Sequence, residues 1–242
     1  AAYDLEDDPC LARFCFADGQ VGGQAAEGVD PLLFVTLQYE PTWPATLLIS
    51  TPVLRSLQLP FAALLRLVHA RRLLHDAWAA CRRLDLRPDV PAPLLRRLAR
   101  VRWQVAFFVE ALTYSLRVEL IEQELSGLDA ALCAPTVDYH TLQLGLRNLT
   151  QQLHAYPLFS TPALVKCFGQ LLYLCRSVAD FATSADATTA LPLAELTALE
   201  KDADRLLRLM FRLLAGGNRG ATARRYPHLL TVLRYNNFFP EL

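Results

Sequence analysis

The chain has 242 residues and a mass of 27.1 kDa, more than the roughly 100–200 residues of a typical domain, so one large domain or a domain with an appended lobe is expected. Hydrophobic residues make up 53%, charged residues 20%, and 24 Lys+Arg balance 24 Asp+Glu, which excludes a disordered chain and a protein that coats nucleic acid. Mean hydropathy is +0.21, yet charges interrupt every apolar run before the about 18 residues of a membrane span, so no membrane insertion is expected.

Residues 1–31 are acidic at first (Asp4, Glu6, Asp7, Asp8) and then Gly-rich (Gly19, Gly22, Gly23, Gly28), and read as a flexible opening segment. Ala1-Ala2-Tyr3-Asp4 lacks a Met and a basic-then-apolar leader, so a fragment without a secretory signal is expected. A helical domain is expected over residues 32–242. It starts with a short extended or β segment, Leu33 to Tyr39, in which apolar and other residues alternate until Glu40-Pro41 and Trp43-Pro44 close it.

From there the period becomes helical, and an all-α bundle of five to seven helices is expected. Thr51-Pro52 reads as an N-cap with proline at the first helical position, opening a short helix that Pro60 kinks or ends. A longer helix follows from about Phe61 to Leu84, with Leu64, Leu67, Leu74, Trp78 and Cys81 on its apolar stripe. The next runs from Pro93 to Ser126, with Leu94, Leu98, Val101, Val105, Phe108 and Leu112 on one face and Gly127 as its stop. Helices from about Val137 to Tyr156 and Ala163 to Phe181 are separated by Pro157 and by a second Thr-Pro start at Thr161. Thr183 to Ala190 reads as a loop; a final long helix spans Pro192 to Ala215, ended by Gly216-Gly217, and a short helix leads into Tyr235.

Six cysteines, at 10, 15, 81, 133, 167 and 175, form no C-x-x-C pair and fall among apolar positions, as reduced, buried thiols of a cytosolic protein would. None of the five histidines follows a Glu by three residues, so the helical carboxylate–imidazole metal pair is missing. Asp18-Gly19-Gln20-Val21-Gly22-Gly23 lacks the lysine, strand and helix that make a phosphate loop. No cofactor and no catalytic residue are assigned.

Charge is the stronger signal. Arg96, Arg97, Arg100 and Arg102 open the third helix and Glu110, Glu119, Glu122 and Glu124 close it, against the helix dipole, so something must compensate. If the second and third helices form a hairpin, Arg82, Arg83 and Arg87 join Arg96 and Arg97 at one basic end. That end suits an acidic protein partner; the alternative is a solvated face relieved by salt and by nearby carboxylates. At the C-terminus, Tyr226, Tyr235, Phe238 and Phe239 favour folding back onto the core. On the alternative docking surface, Tyr235, Asn236 and Phe239 would touch the partner.

Leu37-Gln38-Tyr39-Glu40-Pro41-Thr42-Trp43-Pro44 resembles the L-x-Y-x-x-x-W-P motif of the C-terminal domain of gamma-tubulin complex components. The later motifs are similar to that domain in order: Leu47-Leu48-Ile49-Ser50, Leu74-His75-Asp76-Ala77-Trp78, Tyr114 with Glu119-Leu120-Ile121-Glu122, Leu158, and the Cys167–Phe181 helix. Val232-Leu233-Arg234-Tyr235-Asn236-Asn237-Phe238-Phe239 resembles the closing R-L-D-F-N-x-[FY]-Y. Leu125 stands where the family has Trp, and Arg234 where it has an acid. The apolar and aromatic matches are expected to hold the bundle together.

The resemblance covers about residues 32–239. It implies a non-enzymatic scaffold of the cytoplasm and cytoskeleton, at the microtubule-organizing centre. Such a scaffold binds gamma-tubulin and other gamma-tubulin complex components and presents gamma-tubulin as a template for microtubule nucleation. The resemblance is to the C-terminal half of the family, not to its lateral-assembly N-terminal half. Because tubulins are acidic, the basic hairpin end is the implied contact. A helical scaffold for a different partner is the alternative.

Overall fold

The computed structural model describes residues 14–18, 35–88, 90–133, 138–188, 192–216 and 227–235. The helical class is borne out: the described residues hold seven α-helices of eight residues or more and two short strands. The chain divides into two units, Ala1–Arg66 with Leu120–Ala155, and Leu67–Glu119 with Tyr156–Leu242.

In the first unit, strands β1 (Phe14–Asp18) and β2 (Val35–Tyr39) pair antiparallel, with Phe16 opposite Leu37. β1 falls inside the segment whose composition reads as loop; its alternation is too short, among acids and glycines, to stand out. The Trp43–Pro44 peptide is cis. A single 3₁₀ turn, Ala45–Leu47, leads into α1 (Thr51–Asp85), whose first helical bond runs from the Leu54 N–H to the Ser50 carbonyl at 3.1 Å. The Gln58 side chain then returns to β2: the Leu37 N–H donates to its Oε1 at 3.0 Å, and its Nε2 donates to the Leu37 carbonyl. Helices α3 (Gln123–Leu132) and α4 (Tyr139–Ala155) pack together, and a Cβ built at Gly145 would meet Leu128 Cδ1 at 3.0 Å.

The second unit centres on α2 (Ala92–Tyr114), which packs against α6 (Pro162–Thr188), α7 (Leu193–Gly216) and α8 (Pro227–Arg234). Leu98, Val101, Val105, Phe108 and Leu112 bury the expected stripe of α2. They are joined in the core by Leu171, Cys175 and Val178 of α6, by Leu196, Leu207 and Met210 of α7, and by Leu233 of α8. The one-turn helix α5 (Pro157–Ser160) begins with Pro157 after an extended Tyr156. α6 begins with Pro162 after an extended Thr161, whose carbonyl accepts from the Val165 N–H at 3.0 Å. Both starts follow proline's preference for the first helical position, where its missing N–H costs nothing.

Several boundaries differ from the sequence reading. Pro60 does not end a helix, because α1 runs through it. The broken helical bond is offset by burial on both sides, at Ser56 and at Ala63, Leu67 and Ala70. The third helix is not one α-helix: Ser115–Glu122 is a π-helical stretch between α2 and α3. Gly127 is no stop either. It sits inside α3, where its small propensity cost, about 1 kcal/mol, is outweighed. The loop read from Thr183 to Ala190 is helical through Thr188, because Ala185 is buried in the core and Asp186 anchors two arginines. Trp78, assigned to the apolar stripe of α1, is exposed and stacks on His75 with ring centroids 5.6 Å apart.

Candidate partner-binding surfaces

Arg71 Nε lies 2.9 Å from Glu110 Oε1 and ties the latter part of α1 antiparallel to α2. This hairpin gathers Arg82, Arg83, Arg87, Arg96 and Arg97 at one end, as the charge pattern predicts. The gathered arginines are not bare. Arg83 Nε donates to Asp186 Oδ2 at 2.6 Å, and Arg87 donates from Nη1 to the Asp186 carbonyl at 2.8 Å and keeps Nη2 3.5 Å from its Oδ1. Arg97 donates from Nε to Glu200 Oε1 at 2.9 Å, and from Nη2 to Glu200 Oε2 and to Thr197 Oγ1, the last at 3.2 Å.

Arg82 and Arg96 stay on their own helices, Arg82 3.6 Å from Asp85 and Arg96 donating to the Ala92 carbonyl at 3.3 Å. At the start of α2, Glu200 of α7 thus offsets Arg97, while Asp186 of α6 neutralises Arg83 and Arg87, which precede that helix. The hydrogen bond from Arg97 is the main reason that the Glu200 carboxyl is held below its ordinary range; the same bond raises Arg97. Asp186 and Glu200 escaped the sequence reading. Asp186 lies in the run taken for loop. Glu200, one turn beyond the buried Leu196, is a half-buried acid whose place beside the core stripe was the available signal.

The aromatic candidates separate. Tyr235 follows α8 and is 84% exposed, contrary to the expected folding back, because Leu229, Leu230 and Leu233 fill the core positions of that helix. Asn236 and Phe239 lie outside the described residues. The aromatics that carry the family motif are also less buried than expected. Trp43 is 79% exposed, and Tyr114 is half-exposed with its ring against His228 at 5.1 Å. Leu74, Leu120, Leu158 and Leu233 of these motifs are buried, as are Phe168 and Phe181, so the core uses those side chains while Trp43 stays outside it.

Polar groups elsewhere are arranged for structure. Ser56 Oγ lies 2.9 Å from the Pro52 carbonyl, to which it donates, and 2.9 Å from His154 Nε2. Ser115 donates to Glu119 Oε2, and with its proton used it accepts from the Tyr156 hydroxyl at 3.1 Å. Burial raises the Cys81, Cys167 and Cys175 thiols, the last to about 12. Cys133 is exposed, against the expectation that the cysteines are buried. Among the described residues no three His, Cys, Asp or Glu groups gather to hold a metal ion, and no helix is long and apolar enough to cross a membrane.

Comparison with known proteins agrees with the motif order. Residues 20–239 match the family described as Gamma tubulin complex component C-terminal. Gamma-tubulin complex component 4 of Homo sapiens and that of Mus musculus are each 25% identical over 210 residues, covering 85% of this chain and 30% of the relative. The chain therefore spans under a third of the length of these curated relatives.

Proposed function

The chain belongs to the gamma-tubulin complex component family, and from that premise we propose that it is a scaffold that binds gamma-tubulin and presents it as a template for microtubule nucleation. The family match over residues 20–239 carries this reading. Physically, a template works by prepayment of entropy. Subunits held in lateral register no longer lose that translational and rotational freedom when the first turn assembles. The scaffold makes and breaks no bond. Other gamma-tubulin complex components are its further partners, and the microtubule-organizing centre its place of action.

The surface proposed to meet gamma-tubulin is the basic hairpin end, with Tyr235, Asn236 and Phe239 as a second contact. At the hairpin, Arg82 and Arg96 are exposed and, among the described residues, hold no carboxylate of another helix, while Arg83, Arg87 and Arg97 are engaged by Asp186 and Glu200. The less committed pair is the natural site for an acidic partner. The deciding experiment immobilises the purified chain and offers gamma-tubulin at low and high salt. Recovery at low salt, weakened by Arg82→Glu with Arg96→Glu and by rising salt, is expected. A folded chain that recovers no gamma-tubulin would sink the reading in favour of a helical scaffold for a different partner.

A further inference from the structure

Helices α6 and α7 run antiparallel in the second unit, and their outward stripes enclose two adjoining hollows. One, of about 780 Å³, is lined by Asp180, Phe181, Ala185 and Glu195 among others; its neighbour, of about 390 Å³, by Tyr173, Leu174, Leu206 and Leu209 among others. Ser177, Leu199 and Asp202 line both, so the hollows form one trough. The lining positions of α7, Glu195, Leu199, Asp202, Leu206 and Leu209, step by four, three, four and three residues along a single helical face. On α6, Gln170, Tyr173, Ser177, Phe181 and Ser184 do the same. Each stripe is about four turns long, roughly 21 Å at 1.5 Å per residue.

Two such stripes offer the groove into which a third helix packs. Charge sets what that helix must carry. Asp180, Glu195 and Asp202 stand toward the α6–α7 connection, and all three are exposed and form no ion pair with a described residue. The opposite end is largely apolar, lined by Tyr173, 73% exposed, and by Leu206 and Leu209; besides the shared Asp202, its lining charge among the described residues is Arg205. Of its arginine cluster a second copy of this chain would bring only Arg82 and Arg96 to the acidic end, since Arg83, Arg87 and Arg97 are committed to Asp186 and Glu200.

We propose that this trough is a docking groove for an amphipathic helix of another protein. Its apolar stripe lies on Leu199, Leu206, Leu209 and Tyr173, and its Lys or Arg residues gather at one end against Asp180, Glu195 and Asp202. The polarity of charge fixes the direction in which the helix lies. The groove uses neither the hairpin arginines nor Tyr235, and so lies apart from the contacts proposed for gamma-tubulin.

The test titrates the full chain into a fluorescein-labelled synthetic helix of about 18 residues, with leucines every third or fourth position and lysines over its first two turns. A counterpart has glutamates for the lysines. Anisotropy should show the lysine peptide binding about tenfold more tightly, with the advantage shrinking as salt rises. Glu195→Lys with Asp202→Lys should abolish the advantage, while Glu124→Lys with Asp129→Lys on α3 should preserve it. Tyr173→Ala, a surface change that folding tolerates, should weaken binding about threefold. Equal binding of the two peptides, or an unchanged affinity in the Tyr173→Ala chain, would overturn the proposal. So would a concentration-dependent dimer that Glu195→Lys with Asp202→Lys dissolves, which would assign the groove to a second copy.

Discussion

Arg97 grips Glu200 with two of its nitrogens, Nε at 2.9 Å from Oε1 and Nη2 on Oε2, and so joins the start of α2 to α7. The carboxyl is held down chiefly by that hydrogen bond. A folded-state pKa below the unfolded value means that the contribution to stability is complete above the unfolded value, about 4.3 for Glu. It is lost as pH falls from there through the depressed folded value. Urea unfolding of the parent chain and of Glu200→Gln should therefore differ at pH 7 and converge as the pH is lowered past 4. A difference that is constant with pH would show that the charge on Glu200 is not what matters.

Asp186 serves two arginines from α6 while itself mostly buried. Asp186→Ala leaves both Arg83 and Arg87 without their carboxylate, and about 1–3 kcal/mol of stability should be lost, read from the urea midpoint. Arg82→Glu with Arg96→Glu touches only exposed groups and should change stability by no more than about 0.5 kcal/mol. The two sets of arginines, identical in sequence terms, are expected to behave oppositely: one set supports the fold, the other is available to a partner.

Thiol reactivity should follow burial. Cys175, fully enclosed and raised to about 12, has almost no thiolate at pH 8, whereas Cys133 at the end of α3 is exposed. Brief treatment with iodoacetamide followed by peptide mapping should label Cys133 and spare Cys81, Cys167 and Cys175 until the chain is unfolded. Early labelling of Cys175 would mean that the α6 core opens far more readily than its packing implies.

Two glycines inside helices should respond differently to alanine. Nothing lies within 4 Å of a Cβ at Gly127, so Gly127→Ala should raise stability by about 0.5–1 kcal/mol through helix propensity. At Gly145 the same methyl meets Leu128 Cδ1 at 3.0 Å. Leu128 must give way, and Gly145→Ala should gain clearly less than Gly127→Ala in the same melting experiment.

The pattern of leucines made the helical class and the α2 and α7 core stripes readable, since Leu98, Val105, Leu196 and Met210 are buried where a 3.6-residue period puts them. Pro162 marked the start of α6 correctly because its first-turn preference is local, whereas Pro157, read only as a separator, opens the one-turn α5. What failed depended on the far side of a contact. Pro60 and Gly127 are local signals of interruption, overridden by the packing of α1 and by the continuing turn of α3. Nothing local in Thr183–Thr188 announces that Arg83 and Arg87, about a hundred positions earlier, hold Asp186 in a helix. The arginine end was legible as a cluster, and relief by nearby carboxylates as one of two readings of it, but that Asp186 and Glu200 supply them was not, for the same reason.

The Gln58 amide has one more effect. An exposed strand edge with unfilled N–H and C=O groups recruits foreign chains, and proteins blunt such edges to avoid aggregation. By satisfying both backbone groups of Leu37 from a helix, Gln58 occupies the place that an intruding strand would take beside β2. One side chain of α1 thereby guards the β2 edge of the small sheet against growth into an intermolecular one.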